Sequence, residues 1–276
     1  MDTPRGATFT HIDTACGLIE VGGWRLLTDP TFDEPGTTYR FGWGTSSQKT
    51  SRPALSPAQV GIVDAVLLSH DQHGDNFDTA GRAFALEAPI VLTTKLGAKR
   101  LEASDEEALA FGMAPGDSYA LSDNRRPDVT ITAVAARHRP AHWPEFVSGP
   151  VIGFVIESEA LTGGAVYITG DTLLTPEVRD VAQQFDVGTL IPHVGAAGFP
   201  KITRSARFTM TADDVADLAR EGDVPLVIPI HTSGWSHLLE GTEALVSAFA
   251  ERGIARRLTV PVSGVPVPLT SVPRER

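Results

Sequence analysis

Cysteine is nearly absent: the 276 residues contain one, Cys16. A single thiol excludes an internal disulfide and any cysteine-based zinc cluster, and it fits a reducing cytoplasm. No stretch approaches the roughly 20 consecutive apolar residues that cross a bilayer, so no membrane span is expected. The start, MDTPRGATFTH, carries no apolar run with a cleavage site, which argues against a secretory signal. Positive charge is also short, with 23 Lys and Arg against 34 Asp and Glu and a formal net charge of -11. Sequence-independent nucleic-acid binding needs a basic surface to displace counterions, so nucleic acid is not an expected partner. A small-molecule substrate and a homo-oligomer are both compatible with this balance. Repeats of about 20–50 residues and low-complexity tracts are missing as well. The chain therefore reads as one domain over 1–276.

What is present is an ordinary globular composition, 42% hydrophobic and 21% charged, over a length that buries a sizeable core. Residues 9–12, 17–21 and 24–28 are short, apolar and β-branched, and read as strands, with Gly22-Gly23 as a hairpin turn. Asp29-Pro30 ends the third, because the residue before a proline is pushed out of helical geometry. Residues 31–60 are rich in Gly, Pro, Ser and Thr and read as a long loop, a feature that in compact domains is usually functional. The apolar run 62–68 (IVDAVLL) suggests a strand covered on both faces. Further strands are expected at 90–93, 129–135, 151–156, 165–169, 187–191 and 226–230. Helices are expected at 77–86, 96–101, 106–111, 176–185, 212–220 and 243–252. Two strand-rich halves with interspersed helices argue a layered α/β fold.

Eight histidines punctuate this pattern. Four directly follow apolar runs: His70 in VLLSH, His138 in VAARH, His193 in LIPH and His231 in VIPIH. Asp171 does the same in VYITGD. Strand ends form the rim where ligands bind in layered α/β proteins. Buried imidazoles and carboxylates cost several kcal/mol unless paired or metal-bound, and a shared cation removes that cost for all of them together. The densest cluster, His70-Asp71-Gln72-His73-Gly74-Asp75-Asn76, offers two imidazoles, two carboxylates and two amides after one buried strand. It reads either as a metal-ligand loop or as a solvated turn capping the next helix through Asp75 or Asn76. Imidazole with carboxylate suits zinc, iron or manganese, and the lack of thiolates argues against a closed structural zinc site.

Taken together, these segments resemble the metallo-β-lactamase superfamily, whose signature is H-x-H-x-D-H after an apolar strand, then a His, an Asp and a last His. The corresponding pieces are LLSHDQHGDN, His138 in ARH, Asp171 in YITGDT and His231 in PIH. The opening HIDTACGLIEVGGWRLLTDPTF and the segment TMTADDVADLA resemble one branch of it, that of ascorbate-6-phosphate lactonase and the N-acyl-phosphatidylethanolamine phospholipase D-like hydrolases. The resemblance implies a four-layer αββα sandwich with a dinuclear metal site at one edge of the central sheets. It assigns His70, His73 and His138 to one ion and Asp75, Asp171 and His231 to the other. Asp29 then orients a metal-bound histidine from behind. The motif departs from the pattern in two ways: an extra residue separates the first two histidines, and Asn76 stands where the last histidine belongs. Other registers bring Asp71 or Gln72 against the metal. An amide oxygen binds such metals more weakly than imidazole. One or two ions, zinc first and manganese or iron as alternatives, are thus expected, with His193 or Asp71 as compensating donors.

The reaction this implies is hydrolysis of a small ester, lactone or phosphodiester by a metal-activated water, with Asp75 orienting the nucleophile and passing a proton. His193, Trp235, His237 and His142 are candidates to contact the substrate, while Arg40, Phe41 and Trp43 of the early loop are candidates for a lid. His11 is read as hairpin support that reaches toward the metal edge, and Cys16 as a buried small residue. The alternative is a non-catalytic or weakly catalytic metal-bound member that binds a metabolite, motivated by Gln72 and Asn76. A redox role ranks last.

Overall fold

Short β-branched runs separated by turn-forming pairs build the first strands. The structure is a computed structural model that describes residues 6–269; residues 1–5, part of the segment read for a secretory signal, lie outside them. β1 (Thr8–Asp13), β2 (Cys16–Val21) and β3 (Trp24–Thr28) form an antiparallel meander, with Gly22 and Gly23 at positive φ in the second turn. Residues 31–60 are not one long loop. They carry a hairpin, β4 (Thr38–Gly42) and β5 (Thr45–Gln48), and a helical turn, α1 (Pro57–Val60). There follow β6 (Ala65–Leu67), α2 (Thr79–Leu86), β7 (Val91–Thr94), α3 (Lys95–Ser104) and β8 (Ala110–Met113). β6 is shorter than the apolar run 62–68, because Ile62 is 86% exposed and Asp64 turns back to accept the Arg25 backbone N–H. The helix expected at 106–111 is a correction: Ala110–Met113 pairs in parallel with Val91–Thr94. Completing a sheet edge there outweighs a local helical pattern, since strand preference is set largely by the neighbours a segment packs against.

The second half contains β9 (Ser118–Asp123), β10 (Arg126–Ala135), β11 (Ile152–Glu157), β12 (Ala165–Ile168), α4 (Pro176–Gln184), β13 (Val187–Ile191), α5 (Pro200–Thr203), α6 (Ala212–Glu221), β14 (Leu226–Val227), α7 (Thr242–Glu251) and β15 (Pro266–Pro268). β9 and β15 are absent from the sequence reading. β10 begins before Val129, across a bulge between Arg126 and Val129. Residues 228–230 continue along β13 after β14 ends, through the Ile228 N–H to Leu190 carbonyl bond and a bridge between His193 and Ile230. Side-chain caps start the helices: Thr175 accepts the Val178 N–H of α4, and Thr211 with Asp214 forms a reciprocal capping box on α6.

One sheet runs β15-β1-β2-β3-β6-β7-β8 and the other β14-β13-β12-β11-β10-β9. Their facing sides bury Phe9, Ile19, Leu26 and Leu67 against Ile131, Phe154 and Ile168. The outer side of the first sheet presents Leu27 and Val66 to Ala85 of α2 and Leu101 of α3. The outer side of the second presents Val155, Tyr167 and Leu190 to Val178 of α4, Val215 of α6 and Leu245 of α7. Alternate residues of one strand thus enter different cores, as Leu26 and Leu27 do, which is why the buried strands are apolar without alternation. The result is a four-layer αββα sandwich.

Candidate metal centre

The site is assembled from strand ends. Asp29 follows β3, His70 lies three residues past β6, Asp171 three past β12, His193 two past β13, and His231 directly follows 228–230. His138 lies three residues past β10. Asp29 and His231 occupy left-handed backbone, φ 36 and 60. Non-glycine residues hold that conformation at a cost of about 1–3 kcal/mol each, and such strain concentrates at functional sites. Gly170 turns the chain into Asp171 at φ 61, and a Cβ there would meet the Ile152 carbonyl oxygen at 2.6 Å.

Two groups of donor atoms converge. His70, His73 and His138 form one and Asp75, Asp171 and His231 the other; within each, the donor atoms all lie within 4.8 Å of one another, and every member is buried. His73 Nδ1 is 3.1 Å from both His70 Nε2 and His138 Nε2. His138 Nδ1 donates to the Phe208 carbonyl at 2.8 Å, which turns Nε2 toward the cluster. His231 Nδ1 likewise donates to the Val194 carbonyl at 3.2 Å, and its Nε2 lies 3.3 Å from Asp75 Oδ2 and 3.7 Å from Asp171 Oδ1. Such outward N–H bonds to carbonyls are the usual way a protein aims an imidazole at a metal. His138 Nε2 reaches the second group, 3.6 Å from Asp171 Oδ2.

The electrostatics favour a cation. Burial, then neighbouring His73, holds His70 well below the ordinary imidazole range; burial and His138 bring His73 down to about 4. Both rings are neutral near pH 7, and a single proton on His73 Nδ1 cannot satisfy two facing nitrogens at once. Burial pushes Asp75 up, yet hydrogen bonds from His231 and His237 outweigh it and hold the carboxyl well below its usual range. Asp171 is held low against burial by His231 and His138. The two carboxylates in turn raise His231 to about 9 despite its burial. Asp75 Oδ1, Asn76 Oδ1 and Asp171 Oδ2 are buried without a hydrogen-bond partner among the described residues. Buried polar atoms in folded proteins are as a rule hydrogen-bonded, so three orphaned oxygens gathered at one site call for a partner. Six imidazole and carboxylate donors, with two orphaned carboxylate oxygens among them and the Asn76 oxygen beside them, fit one or two divalent ions.

The other sequence-predicted residues fall in different places. His193 is fully buried behind the rim; its Nδ1 donates to Asp171 Oδ1 at 2.9 Å and its Nε2 lies 3.6 Å from Asp29 Oδ2, so it does not line the cavity. Asp29 Oδ1 accepts the Ser69 N–H at 2.7 Å, fixing the residue before His70. Asn76 Nδ2 reaches Asp171 Oδ1 at 3.5 Å. Asp71 turns away to the Arg100 guanidinium at 2.9 Å, and Gln72 donates to the Ser148 and Pro150 carbonyls. His237 is brought in: Nε2 lies 3.1 Å from Asp75 Oδ2, and Nδ1 2.7 Å from Ser47 Oγ. Trp235 packs behind Phe41, its ring centroid 6.0 Å away. His142 is exposed and stands clear of the cavity against Trp143. His11 reaches Ser263 and the Thr14 carbonyl rather than the metal edge.

A cavity of about 250 Å³ opens over the two groups. His73, Asp75, His138 and His237 form its polar floor, and Phe41, Trp43, Trp143, Phe199, Ile202 and Phe208 are among its walls. Sequence reasoning misses Ser47, Phe199 and Phe208: no periodicity marks them, and only the hairpin and the loop after β13 bring them to the rim. It also misses Lys49, fully buried beneath the hairpin between Asp13 and Asp78 at 2.6 and 3.0 Å.

Comparison with known proteins agrees with this geometry. The model of the beta-lactamase superfamily domain matches residues 24–232. A UPF0173 metal-dependent hydrolase of Methanosphaerula palustris is 26% identical over 205 residues, covering 73% of this chain and 83% of the relative. One from Pyrobaculum aerophilum is 26% identical over 222 residues, covering 79% and 80%. Among solved structures, isothiocyanate hydrolase from Delia radicum gut bacteria superposes with a TM-score of 0.79 at 18% identity, covering 96% of this chain and 100% of that one. A possible metal-dependent hydrolase from Veillonella parvula does so at 0.79 and 19%, with the same coverage. The match over residues 24–232 takes in every donor of both groups, and the chain belongs to the beta-lactamase superfamily.

Proposed function

We propose that this chain is a metal-dependent hydrolase of a small ester, lactone or phosphodiester, acting in the cytoplasm. The observation that carries the reading is the pair of buried donor groups, His70, His73 and His138 beside Asp75, Asp171 and His231. These six residues hold one or two divalent ions, zinc by the donor chemistry and manganese or iron as alternatives. Bound divalent ions supply Lewis acidity toward a carbonyl or phosphoryl oxygen and activation of water near neutral pH.

The remaining work falls to the chain. Asp75 orients the attacking water and accepts its proton. His237, within hydrogen-bond reach of Asp75 and open to the cavity, contacts the substrate and passes a proton toward the leaving group. Ser47 on the hairpin fixes the His237 ring. His193 and Asn76 hold Asp171 from behind, and Asp29 holds the strand end that carries His70. Asn76 then serves as a positioning residue, which removes the difficulty of an amide at a histidine position. The branch of ascorbate-6-phosphate lactonase and phospholipase D-like enzymes is supported by the motifs quoted above. The names of the two UPF0173 relatives support hydrolysis and metal dependence.

Elemental analysis of the purified protein tests the reading, together with hydrolysis of a panel of esters, lactones and phosphodiesters with and without chelator. His70→Ala and Asp171→Ala are expected to lose metal and activity together. Unchanged metal content and activity in both variants refutes the reading. Retained metal with no turnover across the panel favours a metabolite-binding member of the fold.

A further inference from the structure

The two donor groups say what reacts; the walls above them say what else the substrate carries. We infer that the non-reacting part of the substrate is neutral and carries an apolar, ring-sized group, and that substrates with an anionic tail are discriminated against. The inference rests on the hydrolase reading of the same site. An engineered apolar cavity of about 150 Å³ holds benzene, so about 250 Å³ accommodates one ring together with a reactive group of a few atoms. Among the described residues no lysine or arginine lines the cavity, and the one carboxylate there, Asp75, repels anions. Arg40, beside Phe41 on the hairpin, alternates outward and is exposed. Lys95, Arg137 and Arg139 line a separate, more open hollow of about 640 Å³ that touches only His138 among the six donor residues. A charge on the non-reacting part of a substrate would therefore enter a largely apolar enclosure that offers the hydroxyls of Thr45, Ser148 and Thr203 and the His237 imidazole but no lysine or arginine, an expensive transfer. Ions on the floor serve whichever group reacts and cannot compensate a charge held elsewhere.

The mouth has the same character. Trp43 at the hairpin tip is 67% exposed and Phe146 in the facing turn 69%, their ring centroids 5.6 Å apart. Two large aromatic side chains spent on exposed positions and packed on each other, one of them a cavity wall, suit recognition of an apolar group that passes beside them.

The test uses matched probes on the full chain. Benzamide and benzoate are titrated against chelator-treated protein by tryptophan fluorescence and calorimetry. Methyl 4-acetoxybenzoate and 4-acetoxybenzoate, which share one reacting acetyl ester, are compared on the metal-loaded protein. Benzamide is expected to bind saturably and at least about tenfold tighter than benzoate, and the methyl ester to show at least about tenfold higher kcat/KM. Trp43→Arg, at an exposed position that spares folding, is expected to shrink both ratios. Phe41→Leu, checked by its thermal melt, is expected to weaken benzamide while leaving the preference for neutral probes. Equal or tighter binding of benzoate, equal turnover of the anionic ester, or no saturable benzamide binding overturns the inference. If neither ester nor any member of the ester, lactone and phosphodiester panel is turned over while benzamide still binds in preference, the hydrolase reading fails and the neutral apolar preference stands.

Discussion

Removing the Lys49 ammonium is expected to be among the most damaging single changes outside the donor groups. Its Nζ lies 2.6 Å from Asp13 Oδ2 and 3.0 Å from Asp78 Oδ2, with side-chain exposures of 0%, 3% and 0%. Asp78 also accepts the backbone N–H groups of Phe32, Asp33 and Gly81, and Asp13 accepts the Ser51 hydroxyl. Lys49→Met keeps the length of the side chain and strands two carboxylates in a dry space. Breaking a buried pair in this way costs about 3–5 kcal/mol, mainly as uncompensated charge. With about 2.1 cal/mol/K of unfolding entropy per residue over 276 residues, the melting temperature falls by about 5–9 °C. Calorimetry and urea unfolding measure both. Neutralising the partners in Lys49→Met/Asp13→Asn/Asp78→Asn should recover much of the loss, a coupling that a cycle of variants isolates. Burial lowers the Lys49 pKa, but Asp13 and Asp78 together raise it above the ordinary 10.5. Because the folded value is the higher one, this stabilisation is complete below about pH 10 and fades as pH rises through the folded value. Lys49→Met should flatten that alkaline loss. A cost under about 1 kcal/mol, with no change in the alkaline limb, would refute the reasoning.

Three further outcomes follow from close contacts and burial. Gly74→Ala places a Cβ 2.4 Å from the Tyr39 ring and should displace the hairpin, weakening benzamide binding several-fold while the fold persists by circular dichroism. Gly170→Ala adds a methyl at φ 61 against the Ile152 carbonyl and should cost about 1–3 kcal/mol and lower metal affinity, read by unfolding and by chelator competition. Burial raises the Cys16 thiol well above its usual range, and the side chain is fully enclosed. It should resist thiol reagents at pH 8 in the native state and react at once in denaturant; prompt native labelling would contradict its placement.

Much of this molecule is legible in one dimension because its signals are local. Apolar runs without alternation announce strands covered on both faces, and the buried strands β6, β11, β12 and β13 fall where those runs are. Helices with side-chain caps, such as α4 and α6, begin within a residue or so of their expected starts. The segments that escape the reading lack such a signature. β8 carries a helix-like pattern and becomes a strand because the β7 edge is available to pair with. β4 and β5 are short and lack an apolar run, and their pairing is decided by register and by packing over the site.

The sequence by itself determines which donors exist and that each stands at the end of a buried run, since a ligand type after an apolar stretch is a property of neighbouring residues. It also determines the lack of thiolates and of basic surface. The tertiary structure alone decides which donors meet. His73 and His138 are 65 residues apart and touch because two sheets share one rim. Asp71 lies within the motif and faces Arg100, whereas His237, outside it, reaches Asp75. Side-chain direction at a turn depends on left-handed residues, carbonyl acceptors and packing from distant segments, and none of these is encoded by spacing along the chain.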